Sequence, residues 1–157
     1  MKKLLAASIL AAAPFAAFAG TATGNFDITV NVLDSCTISD PSNITIDYDY
    51  YNPTTTSGST SATISCIANS TYTLKVDGTD IAGTSQTLNI DLQNGSKTLP
   101  GTLDVTVSGA TYSGTEFTTS GTDTVDFNFS INTASVNPAD LVAGEQYSKT
   151  INIEVIY

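Results

Sequence analysis

With 157 residues, 15 Asp and Glu against five Lys, and neither Arg, His nor Trp, the chain carries a net charge of −10 although only 13% of its residues are charged. A nucleic-acid backbone is bound by clustered cations that displace its counterions, which excludes that partner here. Without His there is no His-ligated metal site and no His general base. The hydrophobic content of 41% is too high for a disordered acidic tail and sufficient for one packed core.

The first segment reads as a secretory signal over residues 1–19. Lys2 and Lys3 form a charged start, Leu4 to Ala13 an apolar run, and Ala17-Phe18-Ala19 a small-residue cleavage site before Gly20. The run is too short to cross a hydrocarbon layer of about 30 Å, so the membrane serves only as an export route. Loss of the two lysines takes the net charge from −10 to −12. In an oxidising compartment Cys36 and Cys66 have only each other as partners. A bridge between them closes a loop of about 31 residues and stabilises by roughly 3.7 kcal/mol in the chain-entropy model. A nucleophilic or metal-binding Cys finds no His and no second Cys pair to support it.

Beyond the signal, nearly every apolar run has period two, the mark of half-buried strands. In chain order these are Phe26, Ile28, Val30 and Val32, then Ala62–Cys66, Tyr72–Val76, Leu88–Leu92 and Leu103–Val107. Val125, Phe127, Phe129 and Ile131 follow, and the last run is Ile151, Ile153, Val155 and Tyr157. Asn94-Gly95 predicts a hairpin; Asp77-Gly78, Pro100-Gly101, Ser108-Gly109 and Ser120-Gly121 predict further reversals. Asn52 to Ser61 reads as a polar loop, and Ala139 to Ala143 as at most one helical turn. Seven or more short strands at this spacing predict an all-β sandwich. A last run that closes on Tyr157 predicts a sheet edge lacking its neighbour.

Three stretches carry a family resemblance. Thr23-Gly24-Asn25-Phe26-Asp27-Ile28-Thr29-Val30-Asn31-Val32 with Asp34-Ser35-Cys36-Thr37-Ile38 resembles the start of a spore coat protein U-type pilin, a subunit of archaic chaperone–usher pili. Ala62-Thr63-Ile64-Ser65-Cys66 resembles that family's second cysteine strand, and Ala143 to Tyr157 its ending, with Lys149 in place of an acidic residue. The resemblance implies an incomplete immunoglobulin-like β-sandwich over residues 34–157, lacking its last strand, and an N-terminal donor strand over residues 20–33. A periplasmic chaperone first fills the groove. At the outer-membrane usher the donor strand of an identical or related subunit replaces it, a β-augmentation called donor-strand exchange. Phe26, Ile28, Val30 and Val32 would be the donor's apolar knobs; Ile151, Ile153, Val155 and Tyr157, pointing inward, would form the edge of the acceptor groove. The expected product is a secreted surface fibre for adhesion or biofilm formation. Such an apolar open edge is an aggregation hazard, the reason a chaperone would be required.

Other chemistries have less support. Asp47-Tyr48-Asp49 and Asp77 with Asp80 lack an EF-hand spacing, so no metal is assigned, and they read as solvated loop acids. Paired carboxylates could serve glycoside hydrolysis, but without Trp, Arg or His little is left to build a substrate cleft or tune a pKa; no catalytic residue and no cofactor are assigned. Tyr48, Tyr50 and Tyr51 could stack on a sugar but read better as cover for a sandwich edge. The alternative function is a self-contained binding module recognising glycan or protein, with the Phe26–Val32 run as an ordinary first strand of its own sheet.

Overall fold

The computed structural model describes residues 25–33, 35–53 and 56–157. The signal over residues 1–19, the first residues of the donor segment and Asp34 lie outside the described residues. The chain divides into a leading unit up to Asn31 and a unit spanning Val32–Tyr157. Within the described part of the leading unit there is no strand.

The second unit is all-β. Its strands are β1 (Cys36–Ile38), β2 (Ser57–Cys66), β3 (Thr71–Val76), β4 (Thr79–Asp80), β5 (Ser85–Asn94), β6 (Lys97–Ser108), β7 (Thr111–Tyr112), β8 (Phe117–Thr118), β9 (Thr122–Ile131) and β10 (Ile153–Ile156). Single 3₁₀ turns at Thr133–Ser135 and Pro138–Asp140 are its only helical elements among the described residues. One antiparallel sheet runs β1-β2-β9-β6-β5; the other runs β10-β3-β8-β7, with β4 also paired to β3. Alternation explains the division of faces. In β9, Asp123, Val125, Phe127, Phe129 and Ile131 are buried, while Asp126 and Asn128 between them are exposed. Inward residues of both sheets form a single core, with Ile64, Val105 and Val125 from the larger sheet meeting Tyr72, Leu74, Val76 and Phe117 from the smaller.

Cys36 and Cys66 are bonded and stand directly opposite each other in the β1–β2 register. The bridge therefore fixes the short β1, whose three residues could not hold a register unaided. Near the same end of the core, Asp123 is 1% exposed and accepts a hydrogen bond from Tyr72 Oη at 2.9 Å. Its second oxygen, Oδ1, has no partner among the described residues. Burial, and then the bond to Asp123 and its charge, push the Tyr72 phenol well above the usual value near 10.

Several turn expectations hold. Asp77-Gly78 makes a two-residue reversal with both φ positive, and Asn94 pairs with Lys97 across a turn at Gly95-Ser96. Pro100-Gly101 does not reverse the chain; both residues lie inside β6. Pro100 O accepts from Asn132 N at 3.0 Å, so the backbone groups of Pro100 point to the β9 side. The β6–β9 register begins only at Gly101, so the missing N–H leaves no ladder bond unmade. A Cβ on Gly101 would stand 2.3 Å from Phe129 Cζ, which is why this strand position excludes any larger residue. The polar loop is also shorter than expected, because Ser57 to Ser61 belong to β2. Their inward positions are small since Ile44 and Ile46 occupy the space; a Cβ on Gly58 would stand 2.6 Å from Ile44 Cγ2.

Two consequences are measurable. Cys36→Ser should lower unfolding free energy by about 2–5 kcal/mol in denaturant titration under oxidising conditions. Tyr72→Phe should cost about 1–3 kcal/mol at neutral pH by leaving a buried carboxylate unpartnered. Because the folded state favours the neutral phenol, the stability this contributes is complete below the ordinary pKa and lost as pH climbs beyond it. Denaturant titrations above pH 10 should therefore show a steeper alkaline loss for the parent chain than for Tyr72→Phe.

Candidate functional site

Both sheets end on a strand that comes from one extremity of the second unit: β1 terminates the larger sheet and β10 the smaller. They approach each other within 8 Å without forming a ladder. Their free sides can be assigned from hydrogen-bond parity, since successive residues of a strand turn their N–H and C=O to opposite sides. Asn152 O accepts from Asp77 N at 2.7 Å, so Asn152, Glu154 and Ile156 address β3. The N–H and C=O groups of Ile153 and Val155 therefore face away from it. On β1, Ser39 N donates to Thr63 O at 2.9 Å and Ser35 O accepts from Ile67 N at 3.3 Å. That parity leaves the backbone groups of Cys36 and Ile38 on the side away from β2. Two half-ladders are thus unpaired among the described residues.

The side chains at this edge are apolar. Ile151, Ile153 and Val155 are half-buried and pack against the core, and Ile38 does the same from β1. Tyr157 departs from the expected inward direction: β10 ends at Ile156, and Tyr157, outside any ladder, is 61% exposed. Lys149, just before this strand, forms an ion pair with Asp77 at 2.7 Å, across the turn that follows β3. The lead into β10 is also held on the opposite side by paired backbone bonds between Gln93 and Ser148, at 3.0 and 3.1 Å. β10 is therefore anchored before it reaches its open edge.

The leading apolar run is placed differently from a half-buried strand. Residues 25–33 form no strand, and Phe26, Ile28, Val30 and Val32 are 84%, 80%, 78% and 76% exposed. The acidic candidates lie elsewhere. Asp77 is taken by Lys149, Asp80 by Lys75 at 3.4 Å, and Asp49 Oδ1 accepts from the N–H groups of Tyr51 and Asn52. Among the described residues no group of three His, Cys, Asp or Glu is placed to hold a metal ion, and no helix is long and apolar enough to cross a membrane. The β1 half of the edge escaped sequence reasoning, because only hydrogen-bond parity, not residue type, reveals it. No family model, curated protein or solved structure matches this chain.

The edge assignment has a direct readout. In amide exchange of the isolated chain, the N–H groups of Ile153 and Val155 should exchange faster than those of Glu154 and Ile156, which face β3. Equal protection of all four would show that another strand already covers β10.

Proposed function

We propose that this chain is a structural subunit of a surface fibre, assembled by donor-strand exchange in the manner of spore coat protein U-type pilins. In this reading the two-sheet unit is an immunoglobulin-like sandwich that lacks one strand. The observation that carries the proposal is the coexistence of two features: an apolar run left exposed with period two, and a pair of apolar strand edges with unpaired backbone groups.

The two features are complementary. A strand laid along β10 finds the N–H and C=O groups of Ile153 and Val155, and on its other side those of Cys36 and Ile38. A donor that alternates Phe26, Ile28, Val30 and Val32 with Asp27, Thr29 and Asn31 turns its apolar side chains to the core and its polar ones to water. Burying four such residues yields roughly 6–12 kcal/mol before the costs of ordering and association. Since each is at least 76% exposed in the isolated chain, most of that gain remains to be realised. Insertion between two strands takes two ladder spacings, about 9.6 Å, so β1 and β10 must separate where they now stand within 8 Å. The occupant would be a chaperone strand before export through the usher, and the next subunit's leading segment afterwards. The acidic, hydroxyl-rich outer face of the larger sheet, with Ser57, Ser59, Ser61, Asp126 and Asn128, suits a polymer exposed to solvent.

A self-contained binding module would need Phe26–Val32 as a first strand of its own sheet. Absence of a strand over residues 25–33 weighs against that reading. Deletion of residues 20–33 tests both. The truncated chain should still fold and form its disulfide when expressed with its chaperone, yet form no fibres by electron microscopy. Fibres made by the truncated chain would overturn the proposal; general unfolding would instead favour the binding module.

A further inference from the structure

Residues 44–50 alternate as regularly as any strand, with Ile44, Ile46, Tyr48 and Tyr50 half-buried and Thr45, Asp47 and Asp49 exposed, but they form no ladder. This extended segment and the loop ahead of β10 line a half-open cavity of about 510 Å³, within the size range of small-ligand sites. Tyr48, Tyr50, Tyr51 and Tyr147 line it together with the carboxylates of Asp49 and Glu145. We propose that this cavity binds a quaternary ammonium group, held by the tyrosine faces and the two carboxylates.

The rings of Tyr50 and Tyr51 stand 5.2 Å apart at 86°, forming a right-angled corner. A corner encloses a compact group, whereas a sugar ring stacks on a single flat platform. Tyr147, also in the lining, is pinned: its hydroxyl donates to Asp140 O and accepts from Val142 N at 3.1 Å. The carboxylates are also positioned. Asp49 Oδ1 accepts from Tyr51 N at 2.9 Å and Asn52 N at 3.3 Å, and Glu145 Oε2 accepts from Asn94 Nδ2 at 3.2 Å. Burial, and then Tyr50 and Asp49, raise the Tyr48 phenol above its ordinary value, so its ring stays neutral.

Among the described residues no lysine lines the cavity. Lys97 reaches the neighbouring loop but donates to Ala139 O at 2.6 Å, and Lys75 and Lys149 are held by Asp80 and Asp77. Aromatic faces and carboxylates together attract cations. A primary ammonium is compact and strongly hydrated, so a bulky quaternary group, which sheds water at less cost, fits this apolar lining better. The inference is independent of fibre assembly, since every residue in it lies within the second unit.

The test titrates the full-length chain with choline chloride at constant ionic strength, following tyrosine fluorescence and calorimetry. Choline should bind saturably, and its neutral isostere 3,3-dimethyl-1-butanol at least about tenfold more weakly. Tyr51→Ala, at a position 90% exposed, should weaken choline binding about three- to tenfold without changing the circular dichroism spectrum. Asp49→Asn, which keeps the Oδ1 acceptor, should do the same. Co-sedimentation with phosphatidylcholine vesicles would assign the ligand to a lipid headgroup; choline binding without it would assign a free quaternary ammonium compound. Equal binding of choline and the isostere, binding of glucose in preference to both, or no saturable response to choline would each overturn the proposal.

Discussion

Backbone hydrogen bonds in a sheet must be completed by a neighbouring strand or by water, and this chain leaves an apolar pair of edges to the second option. Ile153 and Val155 on β10, and Cys36 and Ile38 on β1, combine half-buried or buried side chains with backbone groups that meet no partner among the described residues. Water satisfies those groups but gains nothing from the apolar surface beside them. A complementary strand satisfies both at once. The proposed function rests on that imbalance, and in that proposal the exposed Phe26–Val32 run is the matching element on the same polypeptide.

The rest of the fold keeps the edge in place. The Cys36–Cys66 bridge holds a three-residue strand in register, which hydrogen bonds to β2 alone would do poorly. The Lys149–Asp77 pair and the Gln93–Ser148 bonds fix the approach to β10 from two sides. Deeper in, Tyr72 joins Asp123 on β9 to β3 by a buried hydrogen bond and stacks on Phe117 at 5.4 Å. A polar contact of this kind ties the two sheets in one relative position, since any slip strands a carboxylate in the core. The tyrosine-lined cavity uses a different resource: an extended segment whose side chains alternate although its backbone joins no ladder.

Much of the strand content was legible because alternation is a local property. Ala62–Cys66, Tyr72–Val76, Leu88–Leu92, Leu103–Val107 and Val125–Ile131 all lie in strands, and each turns the residues its pattern assigns inward toward the core, Cys66 and Leu92 being half-buried and the others buried. Failures came where local chemistry is ambiguous. Pro100-Gly101 has the composition of a turn, yet the proline sits where a ladder begins and the glycine makes room for Phe129. Ser57 to Ser61 read as loop because their small inward residues are covered by Ile44 and Ile46, which come from elsewhere in the chain. Phe26–Val32 has the pattern of a strand but no ladder, for alternation says that a segment can pair and is silent on what it pairs with.

From the amino-acid order alone follow the all-β class, the acidic surface, the lone possible disulfide and the inward face of each long strand, since these depend only on residue type and period. The tertiary structure alone decided which strands sit at the ends of the sheets, which backbone groups remain unpaired there, and that Tyr157 lies outside the ladder. It also decided that four tyrosines line one cavity. Those features depend on contacts between segments far apart in the chain, and period-two alternation carries no information about a strand's neighbour.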